Sequence, residues 1–302
     1  CKMKTLIFFG ATGNLFTRKI FPALSSLFYR YEMKDVVLIT LGRRFSNEED
    51  YRRFLQEISP GEKTELLERV FYISGDLENP ETPSQLSQLI SKVGEEEVIF
   101  YLSLPPSLYK SALNTMEVTL SSISPVVKKI ALEKPFGSSE KDFEELEKAL
   151  KKIFREEEIF YVDHYLGKAT VQNLIILKAE NLFIEKLLSQ DLVKEVRIAV
   201  SEKEGVGERK KFYEETGAIK DILQNHLLQL FTLLAIDIPP LCEEDRKECQ
   251  RFLESVAQAK SQLLTQLQLP PQEAIYLGQY EHYREEVGNP HSQVETLVYL
   301  PF

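Results

Sequence analysis

The sequence predicts an α/β domain with a parallel sheet, followed by an α+β domain. Two observations carry that expectation. Over residues 1–165, short β-branched or aromatic runs alternate with longer amphipathic stretches. Such strand–helix alternation implies a parallel sheet covered on both faces. Beyond residue 165 the alternation gives way to long helical stretches with isolated strand candidates, which places a second domain at 166–302. No internal repeat or low-complexity linker interrupts either part.

In chain order, the strands are expected at Thr5–Phe9, Val36–Leu41, Val70–Ser74, Val98–Leu102, Lys128–Leu132 and Ile159–Val162. Helices are expected at Arg18–Tyr31 and Glu140–Phe154. Ser46 and Glu49 have capping-box spacing before another helix. In the second part, helices are expected at Thr170–Gln190, Gly217–Ile236 and Glu243–Leu267, with strands at Glu195–Ser201 and Val294–Leu300. Leu227, Leu228, Leu230, Leu233 and Leu234 are expected to face a core.

Composition narrows the function. The chain has 302 residues, 43% hydrophobic and 28% charged, so it can bury a sizeable core. A net charge of −10 disfavours nucleic acid as partner, and an anionic ligand needs a local basic site. No apolar run approaches the ~20 residues of a membrane helix. Leu6–Phe9 is too short for a signal-peptide core. Cys1, Cys242 and Cys249 make no disulfide framework and fit a reducing, cytoplasmic setting. Met3 is expected to be the natural start. No metal site is expected.

Chemistry is expected in the loops at the carboxyl ends of the strands, where ligands of such sheets bind. Gly10-Ala11-Thr12-Gly13-Asn14 follows the first strand. A glycine turn entering a helix lets backbone N–H groups approach a pyrophosphate, although the full G-x-G-x-x-G spacing is absent. A plain tight turn capped by Asn14 is the alternative. After the second strand stand Arg43 and Arg44, where a fold preferring NAD places an acidic residue. Arginines suit the 2′-phosphate of NADP; a solvated surface pair is the alternative. Glu133-Lys134-Pro135-Phe136-Gly137 follows the fifth strand, and proline restricts where Lys134 points. Asp163-His164-Tyr165-Leu166-Gly167-Lys168 follows the sixth, and its amine, imidazole and phenol at a helix start would suit a phosphate. Gln224-Asn225-His226 lies in an otherwise apolar helix, where a histidine is either a satisfied core residue or a base.

Taken together and in this order, these segments resemble the glucose-6-phosphate dehydrogenase family. The matching stretches are Phe9 to Leu15 with Lys19, Glu133 to Gly137, and Asp163 to Lys168 continuing to Val171-Gln172-Asn173. Tyr213 to Gly217, Asp221 to Gln229, Gly278-Gln279-Tyr280, Tyr283 and Val294-Glu295-Thr296 also fit. The resemblance implies a Rossmann-like dinucleotide-binding domain at 1–165 and a substrate domain whose antiparallel sheet is here incomplete. It implies oxidation of glucose 6-phosphate to 6-phosphogluconolactone with NADP, or NAD, in the oxidative pentose phosphate pathway. By the same resemblance His226 is the general base and Asp163 supports its imidazole. His164, Tyr165 and Lys168 hold the sugar phosphate, and Glu202 and Asp221 the sugar hydroxyls. Lys134 bridges substrate and cofactor, and Gly10, Thr12, Gly13, Lys19 and Arg43 serve the dinucleotide. A homodimer through the sheet domain is implied as well.

The chain departs from the family pattern at Asn14, Ala169 and Glu214, where aspartate, glutamate and aspartate are usual. Family members are also much longer, with later strands and a downstream lysine, so a fragment or a shortened relative is expected. Two other readings compete. One is a glucose–fructose oxidoreductase-like sugar dehydrogenase, which shares the E-K-P loop. The other is a catalytically inactive nucleotide-binding or assembly relative.

Overall fold

The computed structural model describes residues 3–301, except 32, 34, 60–63, 138, 190 and 240–245. It divides into two compact units, Cys1–Val162 and Asp163–Phe302. Among the described residues no helix is long and apolar enough to cross a membrane.

The first unit is built on six strands: β1 (Lys4–Phe9), β2 (Val36–Gly42), β3 (Val70–Ser74), β4 (Glu97–Leu102), β5 (Val127–Glu133) and β6 (Ile159–Val162). All pair in parallel in the order β3-β2-β1-β4-β5-β6. Side chains alternate across a strand, and β1 shows the consequence. Ile7 and Phe9 enter one buried cluster and Phe8 enters the other. In β2, Ile39 and Leu41 go one way, Val36 and Leu38 the other. A sheet covered on both faces therefore reads as a continuous apolar run.

Helices α1 (Phe21–Arg30), α2 (Glu48–Ile58), α3 (Thr64–Leu67), α4 (Thr82–Val93), α5 (Tyr109–Ser121) and α6 (Glu140–Ile153) supply the cover. Each fully buried Phe or Leu contributes about 1.5–3 kcal/mol. The α2 cap differs from expectation: Asn47, not Ser46, is the N-cap, and its side chain accepts the Asp50 N–H at 2.9 Å. An asparagine one residue nearer the helix takes the bond that the serine would have made.

The second unit holds α7 (Ala169–Glu180), α8 (Leu182–Leu187), α9 (Lys210–Ala218), α10 (Leu228–Ala235), α11 (Arg246–Gln266) and α12 (Tyr283–Val287). Its two described strands, β7 (Tyr276–Gly278) and β8 (Leu297–Tyr299), pair antiparallel. The helix expected at Thr170–Gln190 breaks at Asn181, whose backbone leaves helical geometry. The helix expected from Gly217 starts at Ile219, because Gly217 has φ +64°. Its N-terminal part, Ile219–Leu227, is π-helical and runs on into α10. The first residues of the helix expected from Glu243 lie outside the described residues. Of the five leucines expected in a core, Leu233 is buried and the other four are half-buried.

Glu195–Ser201 is not a strand: it pairs with no described strand, and Val196 and Val200 stay exposed. β8 is shorter than expected, and Glu295 ahead of it is engaged with the start of another helix. Glu295 accepts from Ala218 and Ile219 N–H, and Thr296 Oγ1 accepts from Tyr280 N–H.

One backbone position is decisive for the first unit. Gly10 ends β1 with φ +84°, and a Cβ there would collide with the carbonyl oxygen of Ser103. Gly10→Ala is expected to cost more than the ~1–2 kcal/mol of left-handed backbone alone. Gly207→Ala, at φ +52° in open space, should lose only that backbone contribution. Urea unfolding of the two variants compares them directly.

Candidate active site

The glycine loop sits between the ends of β1, β2 and β4, where the strand order reverses. Ala11 N–H donates to Leu41 O at 3.3 Å and Gly13 N–H to Gly10 O at 3.0 Å. Thr12 lies against Gly42 at the end of β2. The helix that follows carries a π-helical stretch, Phe16–Ile20, with Lys19 exposed on it. The end of β2 presents Arg43 and Arg44. Arg43 Nη1 lies 3.2 Å from Asp76 Oδ2, with both side chains largely exposed. Arg44 stacks over Phe54, 4.7 Å from the ring centre. Gly10, Thr12 and Gly13 thus form a close-approach turn at a helix start, and Arg43 stands a strand away. Such a glycine turn at a helix start, at the switch point of the sheet, fits a dinucleotide.

At the end of β5 the Glu133 carboxylate is buried and accepts from Tyr101 OH, while its carbonyl accepts from Tyr109 OH at 2.6 Å. Burial, and then the carboxylate, push both phenols well above their ordinary pKa. Both therefore stay protonated donors, and they fix the strand end from which Lys134 projects. The Lys134–Pro135 peptide is cis.

In the second unit, Asp163 opens a loop that closes into α7. Its Oδ1 accepts the Tyr165 N–H at 2.8 Å. Both its oxygens lie on His226 Nδ1, at 2.7 and 2.9 Å. His226 is 4% exposed, so this carboxylate–imidazole contact is desolvated. The Tyr165 ring stacks on the imidazole at 4.1 Å and 16°. Lys168 Nζ lies 3.5 Å from the centre of the same ring. His164 and Lys168 are exposed and Tyr165 half-buried. A carboxylate on Nδ1 selects the tautomer whose Nε2 carries the lone pair.

Asp221, buried five residues before His226, meets Arg209 Nη1 at 3.5 Å, and Arg209 Nη2 lies 3.8 Å from Glu202. Burial pushes the neighbouring Tyr213 phenol up to about 12, with Asp221, Glu295 and Glu202 adding to it. Lys260, on α11, donates to Gln229 Oε1; burial depresses its ammonium pKa against the opposing pull of Asp163.

The structure therefore brings together Asp163, Tyr165, Lys168 and His226, and links Glu202 to Asp221. Gly10, Thr12, Gly13, Lys19, Arg43 and Lys134 stand on the first unit. Sequence reasoning missed Arg209, Lys260 and the Tyr101–Tyr109 pair. Arg209 sits in a run of charges, Glu208 to Lys211, that reads as a solvated face. Nothing in the spacing marks the other three.

A six-stranded parallel sheet of this order, with a glycine turn at its switch point, defines a dinucleotide-binding protein of the doubly wound class. Comparison narrows the class. The model for the NAD binding domain of glucose-6-phosphate dehydrogenase matches residues 7–173, and that for its C-terminal domain matches 175–302. Glucose-6-phosphate 1-dehydrogenase of Helicobacter pylori is 35% identical over 301 residues, covering 97% of this chain and 67% of the relative. The chloroplastic enzyme of Spinacia oleracea is 34% identical over 277 residues, covering 85% and 48%. A crystal structure of the Mycobacterium avium enzyme aligns with TM-score 0.81 at 29% identity, covering 99% of this chain and 65% of that one. A glucose-6-phosphate dehydrogenase in complex with its substrate aligns with the same score, covering 98% and 62%. The chain belongs to the glucose-6-phosphate dehydrogenase family. It spans about two thirds or less of the length of these relatives.

Arg209→Met removes a cation from a buried carboxylate and is expected to cost roughly 1–3 kcal/mol. Adding Asp221→Asn should recover part of that loss. A double-mutant cycle by urea unfolding measures the coupling, expected at about 0.5–3 kcal/mol for groups in contact.

Proposed function

We propose that the chain acts in NADP-dependent oxidation of glucose 6-phosphate to 6-phosphogluconolactone, with His226 as general base. The observation that carries this reading is the Asp163–His226 pair, its imidazole buried, beside Tyr165 and Lys168 of the Asp163 loop. The family assignment and the substrate-bound relative support it.

Oxidising C1 of the sugar removes a proton from its hydroxyl and a hydride from carbon. His226 Nε2 takes the proton, and Asp163 holds the ring and stabilises the imidazolium as it forms. NADP, when bound, accepts the hydride. His164, Tyr165 and Lys168 hold the phosphate, in a protein whose net charge otherwise repels it. Glu202 and Asp221 accept from sugar hydroxyls, and Lys134 donates to substrate and cofactor. Gly10, Thr12, Gly13 and Lys19 seat the dinucleotide. Arg43 takes the 2′-phosphate; a guanidinium has five N–H donors and can serve Asp76 as well.

His226→Asn is expected to lower kcat by at least the ~10²–10⁴-fold typical of lost general base catalysis, with glucose 6-phosphate and NADP still binding. Asp163→Asn should be milder, because the imidazole remains. Wild-type kcat should fall as pH is lowered through protonation of the base. Steady-state kinetics and ligand titration check this. Near-normal kcat in His226→Asn would remove its role, and equal use of free glucose would favour a sugar dehydrogenase without a phosphate site.

Arg43→Ala tests the cofactor choice. A charge-assisted contact is worth about 1.5–3 kcal/mol, so the NADP-to-NAD affinity ratio should fall roughly tenfold or more. An unchanged ratio in binding titrations would place the 2′-phosphate elsewhere.

A further inference from the structure

Asn225 stands between two residues with proposed roles and has none itself. It lies in the π-helical stretch Ile219–Leu227, where Leu228 N–H is shared between Leu223 O, five residues back, and Asn225 O, three back. The Asn225 side chain makes two bonds there. Its Nδ2 donates to Lys220 O, five residues back, at 3.1 Å, and its Oδ1 accepts the backbone N–H of His226.

The register decides where Asp221 and His226 point. They are five residues apart, which in an α-helix of 3.6 residues per turn sets them about 140° apart around the axis. A turn closed by i→i+5 bonds takes in more than four residues, which narrows that angle well below the α-helical value. Both side chains are in fact buried, at 6% and 4% exposure. One meets Arg209 and the other Asp163. The wide turn brings the two groups closer to one helix face than an α register would.

An asparagine side chain that bonds nearby backbone competes with the regular helical ladder. In an α register the Lys220 carbonyl would take the N–H of residue 224, and the His226 N–H would go to the carbonyl of residue 222. Asn225 draws on both groups, so it opposes closure of the α turn.

We propose that Asn225 is a positioning residue that holds the π register and thereby keeps Asp221 and His226 close to one face. This rests on the reading of His226 as base, yet its geometric part can fail separately. The test is the crystal structure and the steady-state kinetics of Asn225→Ala, with Asn225→Asp as second variant. Asn225→Ala should close 219–227 toward an α register and carry His226 Nδ1 beyond hydrogen-bond distance of Asp163. Its kcat per folded molecule should fall at least tenfold, by more than KM changes. Asn225→Asp keeps the acceptor for the His226 N–H and loses the donor to Lys220, so its kcat should lie between. It carries the test if the alanine variant does not fold. A retained π register in the variant crystal overturns the proposal, as does unchanged kcat once the register has shifted. A loss of stability with wild-type kcat per folded molecule would mark Asn225 as structural only. By contrast, full turnover in His226→Asn would sink the base and leave the register argument standing.

Discussion

The Asp163 carboxylate is the interaction on which the second unit's site depends. It stands one residue after β6, and it is tied to its own loop through the Tyr165 N–H. The same carboxylate grips an imidazole that lies 63 residues further along the chain. Two consequences follow from these shared hydrogen bonds. The imidazole's tautomer and ring plane are set, and the Tyr165 ring is brought flat against it, with the Lys168 ammonium on that ring. A desolvated ion-supported contact of this kind is strong when complete and costly when broken. The loop with its basic side chain and the helix bearing His226 are therefore one unit energetically, although they are two segments far apart in sequence.

Much of the first unit was legible in the sequence, because its signals are local. Six β-branched or aromatic runs fall within a residue or two of the six strands. The glycine that needed a positive φ stood at the end of β1. The second unit was less legible where tertiary contacts override local preference. Glu195–Ser201 has strand composition but lacks a described partner, and a strand without a ladder is only an extended segment. β8 is shorter than its apolar run, and Glu295 ahead of it caps another helix. The cap of α2 moved by one residue because two adjacent polar side chains compete for the same backbone N–H groups.

The same division runs through the site. Residues in compact runs, such as Asp163 to Lys168 and Gln224 to His226, could be picked out by type and spacing. Arg209 could not, since its partners lie 7 residues before it and 12 after, and an arginine among charges usually faces solvent. Nor could Tyr101 and Tyr109, which hold the end of β5 from a neighbouring strand and a helix. Sequence patterns report which chemistry is present; they do not report which phenol or guanidinium the fold aims at a given carboxylate.

The helix that carries His226 shows why a wide turn can persist in its middle. At its start, Gly217 turns the chain with φ +64°, and Glu295 accepts the Ala218 and Ile219 N–H groups. At its end, Lys178 Nζ bonds the carbonyls of Leu233, Leu234 and Ile236, at 3.2, 2.9 and 2.6 Å. That ammonium is buried, and burial lowers its pKa, opposed by Glu185 at 3.6 Å. Cations at a helix C-terminus and acceptors at its N-terminus satisfy groups that have no partner within the helix. Fixing both ends also removes an escape. A π turn inside a free helix can relax by passing its extra residue to a frayed end. Here each end is bonded to a residue from another segment, so the extra residue has nowhere to go without breaking one of those contacts. The local geometry at His226 is thus sustained from both ends of the helix by Lys178 and Glu295, neither of which touches it.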